Sequence, residues 1–128
     1  MNENLKKLID NAQKIQESRG KAIRSTRTVV VKRLKEIGCG EVTIEKPLVT
    51  VLIGANQRGG DSLYTLSESM TFPDLNNKEL QQAYGVNNKR ALLKKIFTEE
   101  ELGDLIEVLG NLINTNATLE KKVADIKN

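Results

Sequence analysis

Histidine and tryptophan are absent from this chain of 128 residues, and cysteine occurs once. Without histidine there is no imidazole to activate Cys39 as a nucleophile, and the usual zinc-binding spacings of Cys and His cannot be completed. A lone cysteine forms no internal disulfide, which agrees with a reducing compartment. Aromatic residues are only 3% of the chain, so the core must be built from Leu, Ile and Val, and few platforms exist on which bases or sugars would stack. No run of apolar residues is long enough to cross a bilayer, and the opening MNENLKKLIDNAQK is polar, so neither a membrane span nor a secretory signal is expected. What remains is the profile of one domain, whose length allows about two thirds of the unfolded surface to be buried.

Charge is present but unevenly placed. Between Lys14 and Lys35 eight cations are opposed only by Glu17, whereas beyond Thr98 acidic residues prevail, beginning with Glu99, Glu100 and Glu101. The two ends are therefore suited to attract one another, or different partners.

Along the chain, Leu5, Leu8, Ile9, Ala12 and Ile15 recur at helical spacing and predict an amphipathic helix over residues 3–18. Residues 21–27 are linker or helix. Thr28 to Leu34 concentrates β-branched side chains and predicts a strand; Gly38-Cys39-Gly40 supplies a turn, and Glu41 to Glu45 alternates as a second, half-buried strand. Together they predict a β-hairpin. The run Leu48 to Ile53 is apolar at all positions but Thr50, so periodicity leaves helix and strand both open, with a short buried helix preferred. Gly54 to Gly60 reads as a loop, and Asp61 as the N-cap of a helix that carries Leu63, Tyr64, Leu66 and Met70 up to Pro73.

The second half is more explicit. Asn76 with Glu79 resembles a capping box for a helix ending at Gly85; Asn87 or Asn88 starts another through Leu92, Leu93 and Ile96. Thr98 with Glu101 forms a second capping box, and the stripe Leu102, Leu105, Ile106, Leu109, Leu112 and Ile113 follows the 3.6-residue period. The predicted class is α+β, predominantly helical, with a small hairpin packed against a C-terminal multi-helix unit. Residues 1–27 form an N-terminal amphipathic helix and basic linker, 28–113 one core domain, and 114–128 a helical tail.

No motif here carries chemistry. Gly54 to Ser62 superficially imitates a phosphate-binding loop, but Gly60 stands where that loop needs lysine and Asp61 repels phosphate. Asp104 and Glu107 belong to a solvated acidic helix face. No catalytic, cofactor or metal residue is therefore expected. Arg19, Lys21, Arg24 and Arg27 are close enough in sequence to form a nucleic-acid-binding patch, although no aromatic side chain is interleaved with them.

Several words in order, Pro73-Asp74-Leu75, Lys78-Glu79-Leu80-Gln81, Ala83-Tyr84-Gly85-Val86, Leu92-Leu93-Lys94-Lys95 and Glu101-Leu102 with Leu105, resemble the XkdN-like tail assembly chaperones of tailed phages and prophages. Val31 to Leu34 and Glu41 to Glu45 are similar to that family's opening strands, which extends the resemblance over residues 28–113. Where such family members carry a Pro-Gly-Glu turn, this chain has Phe97 to Glu101. The resemblance implies a non-enzymatic protein of the bacterial host cytoplasm that binds the tape measure protein and keeps it soluble while the tail tube assembles. A frameshifted longer form of the chaperone and the tail tube protein are further implied partners, while the sequence leaves self-association open. The expected contact residues are those of the two apolar stripes: Leu5, Leu8, Ile9 and Ile15 at one end, Leu102, Leu105, Ile106 and Leu109 at the other. A small nucleic-acid-binding protein, or a phage-encoded inhibitor of a host defence system, are the alternatives that the same composition admits.

Overall fold

A computed structural model of the chain describes residues 2–21 and 25–114. Its centre is a three-stranded antiparallel sheet in the order β1-β2-β3, formed by Thr26–Val30, Glu41–Glu45 and Met70–Phe72. β1 and β2 make the expected hairpin, in register from Thr26 opposite Glu45 to Val30 opposite Glu41. The first strand, however, starts two residues before the expected Thr28 and stops at Val30. Beyond it Val31 caps a single helical turn, α3 (Lys32–Lys35), with its carbonyl accepting from the amides of both Leu34 and Lys35. Gly40 explains why the turn can form there. A Cβ on Gly40 would stand 2.6 Å from the Val31 carbonyl oxygen and 2.7 Å from the Lys35 nitrogen, so only glycine lets α3 fold down on the start of β2.

Side chains alternate across this sheet as the pleat requires. Val29, Val42 and Ile44 share one face, and the latter two are fully buried under the helices. Thr28 and Thr43 share the outer face, where their hydroxyls are 2.8 Å apart.

The run Leu48 to Ile53 does become helical, as α4 (Val49–Gln57), but it is not the buried helix expected. Ala55 is its only buried residue, and Leu48, Val49 and Ile53 face solvent. The helix also swallows the first part of the expected glycine loop. Gly54 makes this possible: a Cβ there would meet the Tyr64 hydroxyl at 3.2 Å, so its absence lets α4 lie close to α5 (Ser62–Ser69). Asp61 caps α5 as expected, accepting from the amides of Leu63 and Tyr64. Met70 was expected inside that helix and instead leaves it as the first residue of β3, paired with Ile44. Proline at 73 holds the preceding residue extended, and an extended 70–72 segment satisfies the second edge of β2 while burying the Met70 side chain.

In the second half α6 (Lys78–Ala83) begins one residue later than the expected Asn76 box, because Asn77 is the side chain that accepts from Leu80, at 2.9 Å. The Asn76 amide is taken up by the Asp74 carboxylate. α7 (Lys89–Ile96) starts from Asn88, and α8 (Glu99–Ile113) starts from the complete Thr98-Glu101 capping box. Three glutamates in its first turn complement the helix dipole. Leu66, Leu92 and Leu93 meet Leu102, Leu105, Leu109 and Leu112 over the inner face of the sheet. Polar ties hold these helices together, since Asp61 also pairs with Arg90 on α7 and Glu68 on α5 pairs with Lys89. The class is α+β and predominantly helical, as read from the sequence.

Candidate partner-binding surface

The N-terminal stripe folds as two helices rather than one. α1 (Glu3–Asp10) and α2 (Ala12–Lys21) are separated at Asn11, whose side-chain amide donates to the Lys7 carbonyl and closes the end of α1. At the other end Asn2 accepts from the amides of Asn4 and Leu5. These caps define α1 from its own sequence, because the helix buries no residue. Leu5, Leu8 and Ile9 stand on one side of it, 49%, 53% and 56% exposed, and Ile15 on α2 is 40% exposed. A charged and polar face opposes them, with Glu3, Lys6, Lys7 and Asp10. The geometry is that of an amphipathic helix whose apolar side no described residue buries.

The other expected contact stripe has a different fate. Leu102, Leu105 and Leu109 are 7%, 3% and 3% exposed and form this domain's own core. Ile106 is half-buried on the wall of a cleft of about 340 Å³, which Leu52 of α4 and Leu109 and Ile113 of α8 also line. Next to this cleft lies the apolar face of α4 that the sequence did not reveal. An all-apolar run gives no phase by which to tell its wet side from its dry one.

A second groove, of about 490 Å³, separates β1 from the first turns of α8. Arg33 closes one end of it. Its Nε donates to Glu101 Oε2 at 2.9 Å, and its Nη2 to Glu101 Oε1 at 2.8 Å and to the Ile96 carbonyl at 2.7 Å. This forked bond, with help from the Thr98 amide and against partial desolvation, holds the Glu101 carboxyl at about 2, well below the usual carboxylate range. The charge asymmetry of the chain is thus partly internal, with a cation of the basic stretch consumed by the acidic helix.

Of the basic residues singled out in the sequence, Arg19 is exposed on α2 and Arg27 is exposed on β1. Lys21 ends α2, and Arg24 falls outside the described residues, as does the tail expected over 114–128 after its first residue. Among the described residues no group of three or more Cys, Asp or Glu side chains is placed to hold a metal ion, and no helix is long and apolar enough to cross a membrane. Cys39 is exposed in the α3–β2 turn, with its sulfur 3.7 Å from the Leu34 carbonyl oxygen.

Fold and surface therefore define a small helical α+β domain with apolar faces exposed among the described residues. Residues 62–127, just over half of the chain, match the family model of the phage XkdN-like tail assembly chaperones, and the chain belongs to that family. The match begins at the first residue of α5, so it leaves out the hairpin that the resemblance had included and takes in the tail after residue 113 that it had left out. No curated protein and no solved structure matches the chain.

Proposed function

We propose that this chaperone acts without catalysis, by binding the tape measure protein in the host cytoplasm and covering its apolar helical surface until the tail tube encloses it. The observation that carries the contact is the uncovered stripe of Leu5, Leu8, Ile9 and Ile15, which a folded domain would otherwise bury. An amphipathic helix of the tape measure protein laid against it buries both stripes at once, and binding lowers the free concentration of the aggregation-prone form by mass action. Ile106, in its cleft beside α4, is the one member of the second stripe left in part to a partner, since Leu102, Leu105 and Leu109 are occupied. A frameshifted longer form of the chaperone and the tail tube protein are the further partners of this reading.

Co-expression with the tape measure protein of the same genome tests it. Each half-exposed Leu or Ile contributes about 1 kcal/mol when covered, so Leu8→Asp with Ile9→Asp should weaken the complex about 30-fold or more. The variant should melt where the parent does, because neither side chain supports the core. Copurification of the double variant at parental yield would sink the assignment of this stripe.

A further inference from the structure

Among the described residues β1 is an edge strand, and Arg27 is the one blunting device it carries. The bonds from the Val31 amide to the Gly40 carbonyl and from the Lys46 amide to the Ser25 carbonyl bracket its pairing with β2. Antiparallel ladders alternate, so the odd-numbered residues 25 to 31 turn their backbone groups towards β2. Those of Thr26, Thr28 and Val30 consequently point outward, along an edge with no proline, no bulge and exposed β-branched side chains. Beside this edge lies the groove to α8, with Leu105 and Val108 at its base and Glu100 and Asp104 on its rim. Neither acid has an ion-pair partner among the described residues, nor does the exposed Arg27.

We propose that two copies of this chain pair edge to edge through β1, antiparallel about a two-fold axis at Thr28, and join their sheets into one of six strands. The centring at Thr28 follows from maximal overlap of the two five-residue strands, because it sets Thr28 opposite Thr28 and Thr26 opposite Val30 with all outward backbone groups bonded. It also sets Arg27 of the second copy opposite Val29, on the helix-facing side of the sheet. There its guanidinium enters the groove that Glu100 and Asp104 rim. The contact occurs twice by symmetry, and this charge match is what singles out a second copy as the occupant. The pairing uses residues other than those of the α1 stripe, so its failure would leave the tape measure reading intact.

Cysteine cross-linking of the full chain in a Cys39→Ser background reads both the pairing and its register. Facing residues of a bonded antiparallel pair lie about 5.5 Å apart at Cα, within disulfide range. Thr28→Cys should therefore form a covalent dimer under mild oxidation. Thr26→Cys and Val30→Cys should each remain monomeric alone and cross-link when mixed. Asp104→Arg should weaken dimerisation of the otherwise unmodified chain about tenfold by sedimentation, and Arg27→Asp added to it should restore the parental constant. Thr28→Cys that cross-links no better than Thr26→Cys overturns the proposal, and a monomer at every concentration does the same. Both are the results expected if a strand of some other polypeptide belongs on this edge.

Discussion

Replacing Gly40 by alanine tests whether the hairpin is built as described. The added Cβ would face the Val31 oxygen at 2.6 Å, the Lys35 nitrogen at 2.7 Å and the Lys35 Cα at 3.0 Å, all backbone atoms that cannot swing aside. Gly40 has no positive φ, so the effect is one of space and not of backbone strain. Relief requires α3 to lift off β2 by several tenths of an ångström, and the same Val31 residue holds the bond to the Gly40 carbonyl at 2.8 Å and accepts from Lys35 at 2.9 Å. Overpacking of this kind costs about 1–3 kcal/mol, and weakening one buried hydrogen bond adds about 1. The lower entropy of an unfolded alanine chain returns about 0.4–1 kcal/mol. The net loss is therefore about 1–3.6 kcal/mol, or a fall in Tm of about 4–14 °C at roughly 4 °C per kcal/mol for a domain of this size. Thermal and urea unfolding followed by far-UV circular dichroism measure it directly. An unchanged or raised midpoint would mean that α3 does not rest on Gly40, and the account of why β1 stops at Val30 would go with it.

Gly103 gives the opposite sign: it lies within α8 with nothing near its missing Cβ, so Gly103→Ala should stabilise by about 0.5–1 kcal/mol in the same melts. Leu105→Ala empties a buried site and should cost about 3–5 kcal/mol, a loss that chemical denaturation would show and that an exposed contact residue would not. Acid titration of stability reads the Arg33–Glu101 fork. The folded Glu101 carboxyl sits near 2, below its unfolded value, so the unfolded chain binds the extra proton as pH falls. The stabilisation is complete above about pH 5 and is lost as pH drops towards 2. Glu101→Gln should flatten that part of the profile, and an unaltered slope would show that the pair does not act in solution.

Local grammar was legible where a side chain caps its own helix. Asp61, Asn88 and the Thr98-Glu101 box each start the helix their position announces, and the Leu102 to Leu112 stripe meets the core as its period requires. Legibility failed where tertiary pairing overrides local preference. Val31 to Leu34 looks like strand by residue type, yet the close approach allowed by Gly40 bends it into a turn of helix. Met70 fits the helical stripe of α5, yet the open edge of β2 draws it into β3. The different fates of the two apolar stripes were invisible for a similar reason. Periodicity reports that a face is apolar, whereas only packing decides that Leu105 is covered by Leu66 and its neighbours and that Leu8 is left half exposed among the described residues.

The independence of α1 from the domain beneath it has an evolutionary corollary. A residue that serves both stability and recognition can change only when both tolerate it, and most core positions of a small protein are bound in that way. On the proposed reading, Leu5, Leu8 and Ile9 answer to the cargo alone. If α1 holds the tape measure as proposed, a virus whose tape measure drifts in sequence can retune its escort by rewriting one capped octapeptide, Glu3 to Asp10, while the melting temperature of the remainder stays where it was.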